Sequence, residues 1–135
     1  MDHSLKFQRK TDYPDATIGI TVSIDLRHGS EQVSLDAKVD TGAECCLFQR
    51  SYGEILGLSI AEGERIELAT VNSRLVAFGH DIVMNVVGIE YQLTAYFYED
   101  EHLTRNVLGR RGWLQQTRVG IVDYDRTLFL SHYDS

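Results

Sequence analysis

The sequence has no apolar run of the roughly 18 residues that a membrane-crossing helix needs, so no membrane partner is expected. Its first ten residues, Met1 to Lys10, are polar and contain no apolar h-region, which argues against a secretory signal. Basic residues are few, with 13 Lys and Arg against 20 Asp and Glu and a net charge of -7. That balance argues against nucleic acid as a partner, because phosphate contacts need clustered Lys and Arg. Cysteine is scarce as well. Cys45 and Cys46 are the only two and are adjacent, and disulfide geometry disfavours a bridge between neighbours. Two thiols without further ligands at the right spacing do not make a zinc site. His3, His28, His102 and His132 are scattered without ligand spacing, and His80 sits in a strand pattern as a structural residue. Neither a Ser or Cys nucleophile motif nor a phosphate loop is present. Free thiols in a reducing cytoplasm, with no metal and no cofactor, are the expectation.

Proline is nearly absent. Pro14, the only one, closes a polar N-terminal arm drawn over residues 1-15, which leaves residues 16-135 as a single domain. An apolar share of 43% is enough for a core. Apolar and polar residues alternate from Ile18 through Ile20, Val22 and Ile24 to Leu26, and again from Val33 to Val39. Period-two alternation is the mark of a half-buried strand. Further strands are predicted around Ile66 and Leu68, over Val76 to Val86, from Ile89 to Phe97 with a turn near Gly88, at Val119 to Asp123, and at Thr127 to Leu130. Short helices are predicted over 49-57, ending at Gly57, and over 110-116. Many short strands with one or two short helices read as an all-β, closed or folded sheet.

The second alternating strand runs straight into Asp40-Thr41-Gly42-Ala43. A carboxylate at the end of an apolar strand is costly without partners. Gly42 lets a backbone N–H approach it, Thr41 offers a hydroxyl to tie the loop, and Ala43 leaves room for a substrate backbone. Donors around a carboxylate favour its charged form. Alone, Asp-Thr-Gly fits an ordinary tight turn after a strand equally well. A second element follows at Asn106-Val107-Leu108-Gly109-Arg110-Arg111, two apolar residues and a glycine before a short helical pattern.

With these two elements in this order, the chain resembles the retropepsins, the retroviral-type aspartic peptidases, and their single-lobe bacterial and eukaryotic relatives. Asp40 to Ala43 match the family's catalytic loop, and Val107, Leu108, Gly109 and Arg110 match its later apolar-apolar-Gly-Arg element. The resemblance spans roughly residues 16 to 130. It implies a retropepsin-like closed β-barrel, the acid-protease lobe, working as a homodimer on a peptide or protein substrate. Asp40 is then the catalytic residue, supported by Thr41, Gly42 and Ala43, with a Glu44–Arg110 ion pair locking the loop to the following helix. One chain carries one such aspartate, and the family's chemistry needs two sharing a water.

By position, the family's flap matches about Leu68 to His80, with Val71, Asn72, Ser73 and Arg74 at its tip. Asn72-Ser73 is good turn chemistry. The tip has no glycine, and the nearest is Gly79. An aspartic endopeptidase is the leading reading. A catalytically inactive dimer of the same fold, serving as a protein-interaction module, is the alternative that the altered tip and Arg111 favour.

Overall fold

Alternation along the strands decides which faces are buried. In a computed structural model that describes residues 1–15 and 18–135, β2 (Thr21–His28) buries Val22, Ile24 and Leu26 and turns Ser23 outward. It pairs antiparallel with β3 (Glu31–Val39), which buries Leu35 and Ala37. The helix α1 (Arg50–Ile55) ends at Leu56, and Gly57 follows with φ +79°. The strand β2 starts three residues later than the alternation suggested. Ile18 lies almost wholly in solvent, so its apolar side chain belongs to no buried face. The arm–domain boundary predicted at residue 16 falls on Ala16 and Thr17, which lie outside the described residues.

The remaining strands are β1 (Arg9–Asp12), β4 (Leu47–Phe48), β5 (Glu64–Ala69), β6 (Arg74–Val86), β7 (Ile89–Tyr98), β8 (Val107–Leu108), β9 (Thr117–Val122) and β10 (Thr127–His132). Seven of the ten described strands follow the order β2-β3-β8-β4-β7-β6-β5, and β2 also pairs with β6. That last pairing closes the sheet into a barrel, with β5 along the first half of β6 on the same edge that β2 joins farther on. Closure removes the free edges of an open sheet. A second sheet of order β1-β10-β9 gathers both ends of the chain, with residues 9–12 of the predicted polar arm as its first strand.

The barrel interior holds Leu26, Phe48, Met84, Tyr91, Phe97, Leu108 and Trp113, all at most 1% exposed. Trp113 is a core residue. A smaller apolar cluster, built on Cys45, Leu47, Ala77, Tyr98 and Val107, lies between the Asp40 loop and the β5–β6 hairpin.

The predicted helix over 110–116 does not form. Arg111 makes a parallel bridge to Cys45, and only Leu114–Gln116 wind into a single 3-10 turn. Gly112 has φ +94°, the left-handed region, and a residue there ends a right-handed helix before it can start. No helix among the described residues is long and apolar enough to cross a membrane.

Phe97 sits with its ring centroid 6.0 Å from that of Phe48 and is fully buried. Phe97→Ala should lower stability by about 3–5 kcal/mol, the usual cost of deleting a buried aromatic ring. Urea denaturation followed by tryptophan fluorescence checks this, with a lower midpoint expected.

Candidate active site

Two strand ends position Asp40. It leaves β3, whose last two residues, Lys38 and Val39, pair in parallel with Val107 and Leu108 of β8. The Asp40 N–H donates to the Leu108 carbonyl at 3.0 Å, and the Ala43 N–H donates back to the Asp40 carbonyl at 3.2 Å. The loop is therefore a tight turn anchored on β8. The Gly42 N–H donates to Asp40 Oδ1 at 3.0 Å. Asp40 Oδ2 lies 3.5 Å from the Arg105 guanidinium, and its side chain is 27% exposed. One carboxylate oxygen thus meets a backbone donor and the other a cation, while the group still reaches solvent. Thr41 and Gly42 are exposed at its rim.

The predicted second element packs directly on this loop. Arg110 and Arg111 donate their N–H groups to the carbonyls of Ala43 and Glu44 at 2.9 Å each. Gly109 lies beneath: a Cβ there would stand 2.3 Å from the Cys45 carbonyl oxygen and 2.7 Å from that of Ala43. Only glycine lets the two backbones come this close. Val107 and Leu108 are buried. Asn106 fastens the same stretch from the other side. Its Oδ1 accepts from the Gln49 N–H at 2.9 Å, and its Nδ2 donates to Gln49 Oε1 at 2.9 Å.

The expected Glu44–Arg110 ion pair is present at 3.8 Å, but Arg111 is the closer partner, with its Nε 2.8 Å from Glu44 Oε1. Arg111 faces Glu44 because the Cys45–Arg111 bridge sets the register there. The hydrogen bond from Arg111 holds the Glu44 carboxyl below its ordinary range, so the carboxylate keeps its charge into acidic solution.

The β5–β6 hairpin overhangs the site. Its turn runs from Thr70 to Ser73, with Val71, Asn72, Ser73 and Arg74 exposed. In place of glycine, the tip is held by hydrogen bonds. The Thr70 N–H donates to the Ser73 carbonyl at 2.8 Å, and the Ser73 N–H donates to Thr70 Oγ1 at 3.0 Å. Leu68, Ala69, Thr70 and Leu75 of the hairpin face Asp40, Gly42 and Ala43 across a groove of about 320 Å³. Tyr98, Leu103 and Val107 line it too. Three surface depressions are larger, about 520, 610 and 400 Å³, but none of them includes Asp40. The groove at Asp40 combines a carboxylate with apolar walls, the usual make-up of a binding site.

Among the described residues no group of three or more His, Cys, Asp or Glu is placed to hold a metal ion. His80 Nε2 donates a hydrogen bond to the Ile60 carbonyl, 2.9 Å away, in a structural contact. Sequence reasoning missed Arg105 as a neighbour of Asp40. It follows an acidic loop and precedes the apolar pair, and no period or spacing brings it to the carboxylate.

No protein-family model and no curated protein matches the chain by sequence. Solved structures do match. A retropepsin-like aspartic protease from Rickettsia conorii has a TM-score of 0.59 at 17% identity, over 85% of this chain and 100% of that one. The EIAV protease, solved with a bound inhibitor, has a TM-score of 0.55 at 14% identity, over 72% of this chain and 86% of that one. At such identities the likeness is one of fold. This chain has the single-lobe, mostly-β fold of the retropepsin-like aspartic proteases.

Two measurements test the local packing. Gly109→Ala forces a methyl group against two backbone carbonyls and should lower stability by roughly 1–3 kcal/mol, read as a fall in Tm. The thiols give a second readout. Burial pushes Cys45 up to about 11 and Cys46 up to about 12. A raised thiol value leaves little thiolate at neutral pH. Iodoacetamide at about pH 8, near the free-thiol value, should therefore spare both in the native chain and label both after denaturation.

Proposed function

We propose that this chain is an aspartic endopeptidase that works as a homodimer, with one Asp40 from each copy at a shared site. The observation that carries the reading is the placement of Asp40. It stands on a loop fixed to β8, with one oxygen on the Gly42 N–H, at the floor of a groove under a β-hairpin. The fold neighbours are an inhibitor-bound EIAV protease and a retropepsin-like aspartic protease. The rim around Asp40, formed by Thr41 and Gly42, is exposed and free to meet a second copy. A two-fold axis through that rim would bring two identical loops together.

The chemistry follows from the count of carboxylates. Two of them sharing one water cannot both stay ionised, so the pair keeps one proton between them. The ionised Asp40 takes a proton from the water as its oxygen attacks the peptide carbonyl carbon. The protonated Asp40 of the second copy donates to the carbonyl oxygen, giving a tetrahedral gem-diol. Collapse of that intermediate breaks the C–N bond, and a carboxyl proton goes to the leaving nitrogen. The peptide would lie extended in the groove between Ala43 and the hairpin.

The hydrogen-bonded closure of the hairpin tip favours a second reading, a dimer of this fold that binds proteins without cutting them. One experiment separates the two. Purified chain is incubated with peptide mixtures over acidic to neutral pH, with and without a statine-type mimic of the tetrahedral intermediate. Cleavage in acidic solution that the mimic blocks supports the peptidase, and a folded but inert dimer supports the binding module. Asp40→Asn should abolish cleavage and leave the oligomeric state in size-exclusion chromatography unchanged. Substantial cleavage by that variant would sink the proposal.

A further inference from the structure

We infer that Arg105 makes this site selective for peptides with an acidic side chain, Asp or Glu, next to the bond that is cut. The inference rests on the aspartic-peptidase reading above and adds a substrate class to it.

Asp40, Glu44 and Arg105 are the charged side chains that line the groove. Glu44 is already balanced, since it faces Arg111 at 2.8 Å and Arg110 at 3.8 Å. Arg105 faces Asp40 alone, at 3.5 Å. In the proposed dimer the two Asp40 carboxylates share a proton and carry one negative charge between them. Two Arg105 guanidiniums, one from each copy, then face a single negative charge. The site is left with a positive charge that a substrate carboxylate can neutralise.

The position of Arg105 suits that role. Its backbone is fixed on both sides: Leu103 packs into the apolar cluster beside the groove, and Asn106 is tied to Gln49 by two hydrogen bonds. Its side chain is 70% exposed, so it can turn from Asp40 toward a substrate without leaving a buried site. A guanidinium also binds a carboxylate through two parallel N–H groups, a geometry that its 3.5 Å pairing with Asp40 leaves open.

Distance fixes which substrate residue is read. An extended peptide advances about 3.4 Å per residue. A carboxylate that reaches a guanidinium 3.5 Å from Asp40 therefore belongs to a residue flanking the cut or one step beyond it. The chain's net charge of -7 opposes acidic peptides at long range. That repulsion is screened beyond about 8 Å at physiological salt, so the nearby arginine decides.

The test uses the full chain. Cut positions are mapped by mass spectrometry in a mixed peptide library at about pH 6, where a peptide Glu is ionised. Synthetic pairs that differ only by Glu or Gln beside a mapped cut are then compared. The Glu peptide should show a kcat/KM roughly tenfold higher, the size of one charge-assisted hydrogen bond. Arg105→Gln should erase that ratio, and Arg105→Glu should turn the preference toward Lys. Equal rates for the Glu and Gln peptides with the unmodified chain overturn the inference and leave the peptidase reading standing. So does a ratio that neither substitution changes. Failure to cut any peptide at any pH overturns both.

Discussion

Between the Asp40 loop and β8 there is no room for a side chain. The Asp40 N–H bonds to the Leu108 carbonyl, the Arg110 and Arg111 N–H groups bond to the carbonyls of Ala43 and Glu44, and Gly109 fits under the loop only because it has no Cβ. Backbone groups buried at such a crossing must all be paired, and here each of these finds a partner within 3.0 Å. The parallel pairing of β3 with β8 sets the direction from which Asp40 emerges. The Cys45–Arg111 bridge sets where the next residues point. The groove, the ion pair at Glu44 and the place of Arg105 all follow from that crossing.

Barrel closure supplies the other half of the site. Pairing of β2 with β6 joins the β2–β3 hairpin, which leads into the Asp40 loop, to the strand that becomes the overhanging arm. Both walls of the groove are therefore parts of one closed sheet. The small cluster of Cys45, Leu47, Ala77, Tyr98 and Val107 fills the angle between them. Burial that keeps the two thiols protonated also fixes the floor on which Asp40 stands.

Much of this was legible in the residues. Strict alternation placed β2, β3, β6 and β7, because in each one face is buried and a one-residue slip would expose it. The Asp40 and Val107 elements were each short and legible as motifs, and the structure brings them together by a parallel pairing. Other features depend on local geometry that composition does not encode. The helix expected over 110–116 gives way to an extended bridge because Gly112 takes a left-handed conformation. Two adjacent arginines are equivalent in sequence, but successive residues of an extended segment point to opposite sides, so Arg111 becomes the nearer partner of Glu44. Arg105 reaches Asp40 only through the path of the 99–106 loop, which no periodicity describes.

The hairpin over the groove is the free end of a barrel stave. Residues 77–79 of β6 are flanked on one side by β5 and on the other by β7, and the Val76 carbonyl still accepts from the Glu99 N–H at 2.9 Å, whereas Arg74 and Leu75 pair with β5 alone. Past its last two-sided support the arm projects two rungs and a turn, on the order of 10 Å. A beam clamped so close to its tip, with the tip itself laced by Thr70 and Ser73, bends little along its length. Any opening must pivot at Ala77 to Gly79, where Gly79 packs against Tyr96 and Thr94. The hinge of the arm therefore lies in the barrel wall, away from the turn.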